Sequence, residues 1–132
     1  MKYRLMDVLA CPECKHFPLE LLVLSERELE GMRAPEGFRC ELYCGLNRAF
    51  LKELRQEPDC GRCFAHEVVE GVLYCPGCGR WYPIIDEIPR LLPDRVREAQ
   101  MKKDELAFLR KHADELPDKI TRGGKPYNLG EG

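Results

Sequence analysis

The sequence lacks a long apolar run and has almost no net charge. No stretch of its 132 residues approaches the roughly 20 apolar residues that span a bilayer, and residues 1–7 reach an acidic side chain too soon for a signal peptide. The 21 basic and 23 acidic residues are interspersed and leave a formal net charge of -2. Without a strong basic surface to hold a phosphate backbone, autonomous binding of nucleic acid is disfavoured. These absences predict a cytoplasmic protein.

Histidine is also scarce, and its positions argue against catalysis. His16, His66 and His112 form no spaced set with a carboxylate, as a catalytic metal with an open coordination position would require. We therefore assign the histidines no ligand role. The sequence offers no catalytic residue and predicts a protein that is not an enzyme.

Cysteine, by contrast, is abundant, with eight residues that fall into four close pairs. Two sulfurs two or three residues apart can face one metal ion, and two such pairs complete the tetrahedron that zinc prefers. A reducing cytoplasm favours zinc over disulfides. The spacing predicts one or two zinc ions: a first site made by the outer pairs, Cys11, Cys14, Cys75 and Cys78, and a second made by the inner pairs, Cys40, Cys44, Cys60 and Cys63.

The residues beside the outer pairs strengthen the first of these sites. The segments Cys11-Pro12-Glu13-Cys14 and Cys75-Pro76-Gly77-Cys78-Gly79 place proline after the first ligand, where it fixes φ, and the second adds a glycine that allows positive φ. A site of four cysteines has no open position and is structural. A rubredoxin-like iron site shares this motif, so an electron carrier is an alternative. Thiol exchange is disfavoured because Cys75 follows a strand instead of opening a helix.

The inner pairs depend on spacing alone, and disulfide bonds are their alternative. They lie in a segment, residues 25–66, that separates the two outer pairs. Within it, residues 41–56 carry apolar side chains at helical spacing and predict a helix. Those side chains are Leu42, Leu46, Ala49, Phe50 and Leu54.

The remaining patterns predict an α+β fold. A strand over residues 18–24 follows the first cysteine pair, and two short strands, 68–69 and 72–74, meet at a turn before Cys75. The organisation expected is a zinc ribbon of residues 1–24 and 67–93, a helical insert of 25–66, and a C-terminal helix with a flexible tail over 94–132. The tail, from residue 118, is rich in glycine and has little to bury.

The segment 81–93 is unusually apolar for a loop and contains three prolines. Proline removes a backbone donor, which predicts an edge strand followed by an extended arm and excludes a central strand. Its apolar side chains either cap the ribbon core or offer a partner an apolar patch and a strand edge.

Four motifs stand out in the sequence: Leu9-Ala10-Cys11-Pro12, Glu70-Gly71-Val72-Leu73-Tyr74-Cys75-Pro76, Gly79-Arg80-Trp81-Tyr82-Pro83-Ile84 and Ile88-Pro89-Arg90-Leu91-Leu92. They resemble a known family, the small zinc-ribbon activator subunits of class I methyltransferases, and the resemblance covers roughly half the chain. It implies a non-catalytic partner, in a heterodimer, of S-adenosylmethionine-dependent enzymes that modify tRNA, ribosomal RNA or translation release factor. The protein would contact RNA only through that enzyme. Longer members of the family carry a helical insert.

The resemblance also implies a partner surface that adds a strand to the enzyme's sheet edge. The matching residues are Trp81, Ile84, Ile85, Ile88, Leu91 and Leu92. Two features depart from the family: Asp86-Glu87-Ile88 lacks a glycine often present there, so a turn with positive φ must differ or bear strain, and the inner cysteines have no counterpart. A stand-alone RNA-binding ribbon is a further alternative, disfavoured by the charge balance.

Overall fold

A four-stranded antiparallel sheet organises the chain in the computed structural model, which describes residues 1–130. Its strands lie in the order β1-β4-β5-β6, with bounds Glu20–Glu28 (β1), His66–Tyr74 (β4), Trp81–Ile85 (β5) and Ile88–Pro89 (β6). Helices and a small second sheet complete an α+β fold, which confirms the predicted class. Residues 131 and 132 of the predicted tail lie outside the described residues.

Strand β4 is continuous through the position where the sequence predicts a turn, so the prediction of two short strands is wrong. Gly71 lies in β4 without turning it. A Cβ there would stand 2.6 Å from the carbonyl oxygen of Leu22 on β1, so glycine allows the two backbones to approach closely. The pairing register shifts between Val23 and Ser25, opposite this point, as in a β-bulge.

Each face of the sheet packs against its own hydrophobic core, and alternate residues along each strand point to opposite faces. Tyr82 and Leu73 pack in one core, and Trp81 and Val72 pack in the other. The first core also contains the N-terminal residues Met1, Tyr3 and Met6, and the second contains Phe108, Leu109, Leu116, Ile120 and Tyr127.

Short helical elements precede and follow the strands of the sheet in the sequence. A 3₁₀ turn, Tyr3–Asp7, precedes the first cysteine. After the sheet, α2 (Asp94–Val96), a π-helical turn (Arg97–Met101) and α3 (Lys102–Lys111) confirm the predicted C-terminal helix. Within residues 1–130, no helix is both long enough and apolar enough to span a bilayer.

The prediction of a helix over residues 41–56 is wrong. That stretch forms a hairpin of β2 (Tyr43–Cys44) and β3 (Ala49–Phe50) followed by a 3₁₀ turn, Leu51–Glu53. The one α-helix of the insert is α1, Cys60–Phe64.

Tertiary contacts explain why the helical periodicity fails. The Asp7 carboxylate accepts hydrogen bonds from the backbone N–H groups of Glu41, Leu42 and Tyr43, at 2.9, 2.8 and 2.8 Å. Across the hairpin, the Tyr43 and Phe50 rings pack edge to face with centroids 5.5 Å apart. These contacts outweigh a helix propensity that differs by less than about 1 kcal/mol per residue.

The C-terminal segment is packed, so the prediction of a flexible tail is wrong for residues 118–130. It begins with α4 (Asp118–Thr121) and continues to Tyr127, whose ring is buried against Trp81. The Trp81 indole N–H donates to the Tyr127 carbonyl oxygen at 2.8 Å. Composition suggested too little to bury, but it could not show that the sheet supplies an aromatic partner.

A buried guanidinium joins this segment to the sheet and to α3. Arg97 is fully buried, and its Nε lies 2.8 Å from the Glu105 carboxylate. The guanidinium carbon lies 4.8 to 5.6 Å from the ring centroids of Tyr82, Trp81 and Tyr127, so aromatic faces surround it. The Tyr127 hydroxyl donates to the same Glu105 oxygen at 2.6 Å. The Arg97–Glu105 pair therefore contacts the C-terminal segment through Tyr127 and the sheet through Trp81 and Tyr82, and Glu105 itself belongs to α3.

Strand β5 is not an edge strand, which corrects a further prediction. It lies between β4 and β6, and on its outer side the Trp81 N–H donates to the Lys125 carbonyl oxygen at 3.1 Å. Because backbone groups alternate in direction along an antiparallel strand, Pro83 lacks its donor on that same outer side. The Pro83 carbonyl oxygen still accepts a bond from the Arg90 N–H at 2.9 Å. Proline is therefore tolerated inside the sheet, and β1 and β6 form its two ends.

We expect Tyr127→Ala to lower the free energy of unfolding by about 3 to 5 kcal/mol, because it removes a buried ring against Trp81. Tyr127→Phe keeps the ring and loses the bond to Glu105, so it should cost about 1 to 3 kcal/mol. Urea unfolding of the three proteins measures both effects. Equal stability of all three would mean that the C-terminal segment is not packed in solution.

Candidate metal centre

The outer cysteine pairs sit in two loops with the same backbone hydrogen bonds. In the first loop, the Cys11 N–H donates to the His16 carbonyl oxygen at 3.0 Å, and the Lys15 N–H donates to the Cys11 carbonyl oxygen at 2.8 Å. In the second loop, the Cys75 N–H donates to the Arg80 carbonyl oxygen at 2.8 Å, and the Gly79 N–H donates to the Cys75 carbonyl oxygen at 2.9 Å. The two knuckles are thus built alike, although the sequence between their cysteines differs.

Each knuckle ends on a residue with positive φ. Gly79 has φ of 82°, as its flanking position predicts, and Lys15 has φ of 67° at the equivalent place. A lysine there costs conformational energy that glycine does not. Its Nζ donates to the Pro12 carbonyl oxygen at 2.7 Å across the loop. Sequence reasoning missed Lys15, although its position one residue after the second cysteine was the available signal.

The four sulfurs of these knuckles converge. Cys11 Sγ lies 3.8 Å from Cys78 Sγ, Cys14 Sγ lies 3.4 Å from Cys75 Sγ, and all four lie within 4.8 Å of one another. Zn–S bonds of about 2.3 Å in a tetrahedron place sulfurs about 3.8 Å apart. Among residues 1–130, these cysteines form the one group of three or more metal-binding side chains that closes so tightly. The donor set therefore fits zinc.

Hydrogen bonds act directly on the Cys11 sulfur. Burial raises the pKa of this thiol, but the backbone N–H groups of Cys14 and Glu13 and the Tyr82 hydroxyl, 3.2 Å from Sγ, outweigh it and lower the pKa to about 7. Burial and the neighbouring thiols raise the pKa of Cys75 to about 12. Four crowded thiols cannot all ionise unaided, and a bound dication is what stabilises four thiolates together.

A charged side chain links this centre to the C-terminal helix. Arg80 holds the Asp94 carboxylate with bonds of 2.7 to 3.1 Å, and its pKa is raised by Asp94 and by the adjacent Cys78 sulfur. The Asp94 N–H in turn donates to the Glu13 carboxylate in the first knuckle at 2.8 Å. The beginning of α2 is therefore fixed to both knuckles.

The four donors leave no position for water or substrate. Cys11 and Cys75 are fully buried, whereas Cys14 is exposed at the surface. A zinc ion held here would crosslink two loops roughly 60 residues apart in the chain and do no redox chemistry. Such a centre stabilises the fold.

The four inner cysteines line one pocket but do not close as tightly. All eight cysteines are free thiols, so the structure contains none of the disulfides that were the alternative. Burial, Asp7 and the other inner sulfurs raise the pKa of Cys40 to about 12, and burial with Cys44 and Cys60 raises that of Cys63 to about 11. The thiols of the two inner pairs therefore lie close enough to raise one another's pKa.

Two of the three histidines lie away from this centre. His66 Nδ1 bonds the Arg62 carbonyl oxygen at 2.8 Å. His112 lies between the carboxylates of Glu70 and Glu115, at 3.2 and 3.1 Å. His16 follows the first knuckle: its carbonyl oxygen accepts the Cys11 N–H, and its side chain lies beside Gly77 of the second knuckle.

The residues expected to bind a partner divide into two groups. Trp81 and Ile84 are fully buried in the two cores of the chain itself, so the prediction that they contact a partner is wrong for this conformation. The apolar spacing could not show that the C-terminal segment covers Trp81. Ile85, Leu91 and Leu92 are half-buried, and Ile88 is 61% exposed. A partner role for these four stays a prediction.

The two knuckles have the same construction, meet at the end of an antiparallel sheet, and bring four cysteine sulfurs together. This arrangement defines a zinc-ribbon-like protein. The family model described as Trm112p-like protein matches residues 2–87, which include both knuckles and the whole insert. The chain therefore belongs to the Trm112p-like family, a family of methyltransferase activators, and the resemblance seen in the sequence is confirmed. A search of curated proteins finds no match.

We expect Cys11→Ser or Cys75→Ser to unfold the ribbon, because a structural zinc contributes on the order of 10 kcal/mol to small units. Glu13→Gln is a matched control in the first knuckle, since the amide oxygen can still accept the bond from Asp94. Circular dichroism with metal analysis compares the variants. A folded, metal-free Cys11/Cys75 double variant would refute a stabilising role for the metal.

We expect Tyr82→Phe to release zinc at a higher pH than the wild-type protein. The lost hydroxyl favours the Cys11 thiolate, so its removal raises that pKa and lets protons compete earlier as the pH falls. With one ligand of four affected, the midpoint should rise by roughly 0.3 pH unit. Dialysis at graded pH with metal analysis measures it. Tyr3→Phe, whose hydroxyl bonds Glu26 instead of a sulfur, is the control and should not shift the midpoint.

Proposed function

We propose that this protein is a non-catalytic zinc-binding subunit that binds and activates class I, S-adenosylmethionine-dependent methyltransferases acting on tRNA, ribosomal RNA or translation release factor. The observation that carries the proposal is membership of the Trm112p-like family across both knuckles. The closed set of four sulfurs supports a structural metal, with zinc as its identity. Chemistry on the substrate would belong to the partner enzyme.

The partner surface we propose lies at the β6 end of the sheet. Ile88 in β6 is exposed, and Ile85, Leu91 and Leu92 lie beside it in the chain with part of their surface open. Such an apolar group at the surface is typical of a protein interface.

Strand addition is also more favourable at β6 than at β1, the other end of the sheet. The second half of β1, residues 25–28, is exposed and carries Glu26, Arg27 and Glu28. Charged side chains on an end strand oppose pairing with another chain. The β6 end carries Ile88 and Pro89, so the partner would pair around this short strand or cover its side chains.

An affinity pull-down from the native extract tests the proposal. The Met1 amino group is buried, 2.7 Å from the Val68 carbonyl oxygen and 2.9 Å from the Glu67 carboxylate, so the tag belongs at the C-terminal end. We expect one or more class I methyltransferases in stoichiometric amount, identified by mass spectrometry. Recovery of none by a folded, metal-loaded protein would reject the proposal, and visible absorption by the sample would indicate iron.

We expect Ile88→Asp to abolish the complex while leaving the protein folded. An exposed aspartate costs the free protein little, but a buried unpaired charge costs several kcal/mol in an interface. Val8→Asp is the matched control, because Val8 is 70% exposed and lies outside the proposed surface. The pull-down compares both variants at equal zinc content. Wild-type recovery of the enzyme by Ile88→Asp would rule out this surface.

A further inference from the structure

We propose that Cys40, Cys44, Cys60 and Cys63 form a second zinc site, which holds the insert together. The proposal does not rest on the proposed function, since it concerns only how this chain binds metal. It also assigns a role to the four inner cysteines, which are not among the motifs that resemble the family.

The topology brings the two pairs to one pocket. Cys40 precedes the β2-β3 hairpin and Cys44 ends β2, whereas Cys60 and Cys63 belong to the single helix of the insert, α1. All four line the pocket, whose other walls include Phe38, Leu51 and Pro58. Two pairs of thiols that line one largely apolar pocket supply the four donors of a tetrahedral zinc site.

The backbone around the first pair is held from outside the insert. Asp7 accepts the N–H groups of residues 41–43, immediately after Cys40. A Cβ on Gly45 would clash with the Tyr3 carbonyl oxygen, so glycine allows the loop after Cys44 to pack on the N-terminal turn. The Asn47 N–H points to the Cys44 sulfur at 3.5 Å, as backbone donors do to metal-bound sulfur.

The second pair is positioned by a helix cap. Asp59 precedes α1 and accepts the Arg62 N–H at 2.9 Å, which fixes the first turn of the helix. Cys60 and Cys63 lie three positions apart on that turn and therefore on the same side of the helix. Both pairs are thus anchored by carboxylates that are themselves outside the sulfur set.

The insert needs such a crosslink because its own regular structure is minimal. It has two strands of two residues each and a helix of five residues, elements too short to be stable alone. Its buried apolar side chains are few, chiefly Tyr43 and Phe64. Small units of this kind are usually held by metal or by disulfides, and here the sulfurs are unbonded.

Zinc stoichiometry tests the proposal in the full chain. The protein is saturated with zinc under reducing conditions, freed of excess metal, and weighed intact by native mass spectrometry. We expect two zinc ions in the wild-type protein and one in the Cys60→Ser/Cys63→Ser variant. Arg62→Ala, a change between the same two cysteines that removes no ligand, should keep two and serves as the matched control.

The wild-type count decides the question even if the double variant fails to fold. One zinc per wild-type chain, or an unchanged count after loss of Cys60 and Cys63, would overturn the proposal. Denatured mass after thiol alkylation, without reductant, gives an independent readout: eight alkylated cysteines agree with metal binding, and four would mean disulfides in the inner pairs. None of these results depends on a methyltransferase, so the proposed function can fail while the second site stands.

Discussion

The convergence of four cysteine sulfurs from two knuckles is the constraint on which the rest of the fold depends. The chain between Cys14 and Cys75 leaves along β1 and returns along β4, and these strands pair from Glu20 opposite Tyr74. Closing this long loop costs entropy that a small hydrophobic core offsets only in part, and the binding of a metal at its base would offset the rest. A metal at the knuckles would therefore favour this register of the β1-β4 pair and, through it, the positions of both cores.

The second core has a different origin. Val72 and Trp81 come from the part of the chain that matches the family, but Leu109 and Tyr127, which cover them, lie beyond residue 87. Arg97 joins the two parts as a buried charge that is paired with a carboxylate and surrounded by aromatic faces. Arg97 and Glu105 both lie beyond residue 87, so the burial of this pair depends on the Trp81 and Tyr82 rings that the sheet supplies.

How much the sequence predicts depends on whether a feature is local. The outer cysteine set follows from spacing and flanking residues alone, and the structure brings those four sulfurs together. The helix expected over residues 41–56 fails because Asp7, more than thirty positions away, binds its backbone. The packing of the C-terminal segment likewise depends on Trp81, and the outer side of β5 is bonded at Trp81 by the distant Lys125. Contacts between distant residues decide these cases, and periodicity cannot report them.

The turn that precedes Ile88 shows how a departure from the family pattern is accommodated. Asp86 and Glu87 both have positive φ, 50° and 71°, so the chain keeps the tight turn with a glutamate where glycine would relieve about 1 kcal/mol. Two contacts offset this strain: the Glu87 N–H donates to the Val69 carbonyl oxygen at 2.9 Å, and its carboxylate pairs with Arg27 on β1. These contacts bind the turn to both β4 and β1 and so hold β6 against the sheet. Ile88 is therefore held at the surface by the fold itself.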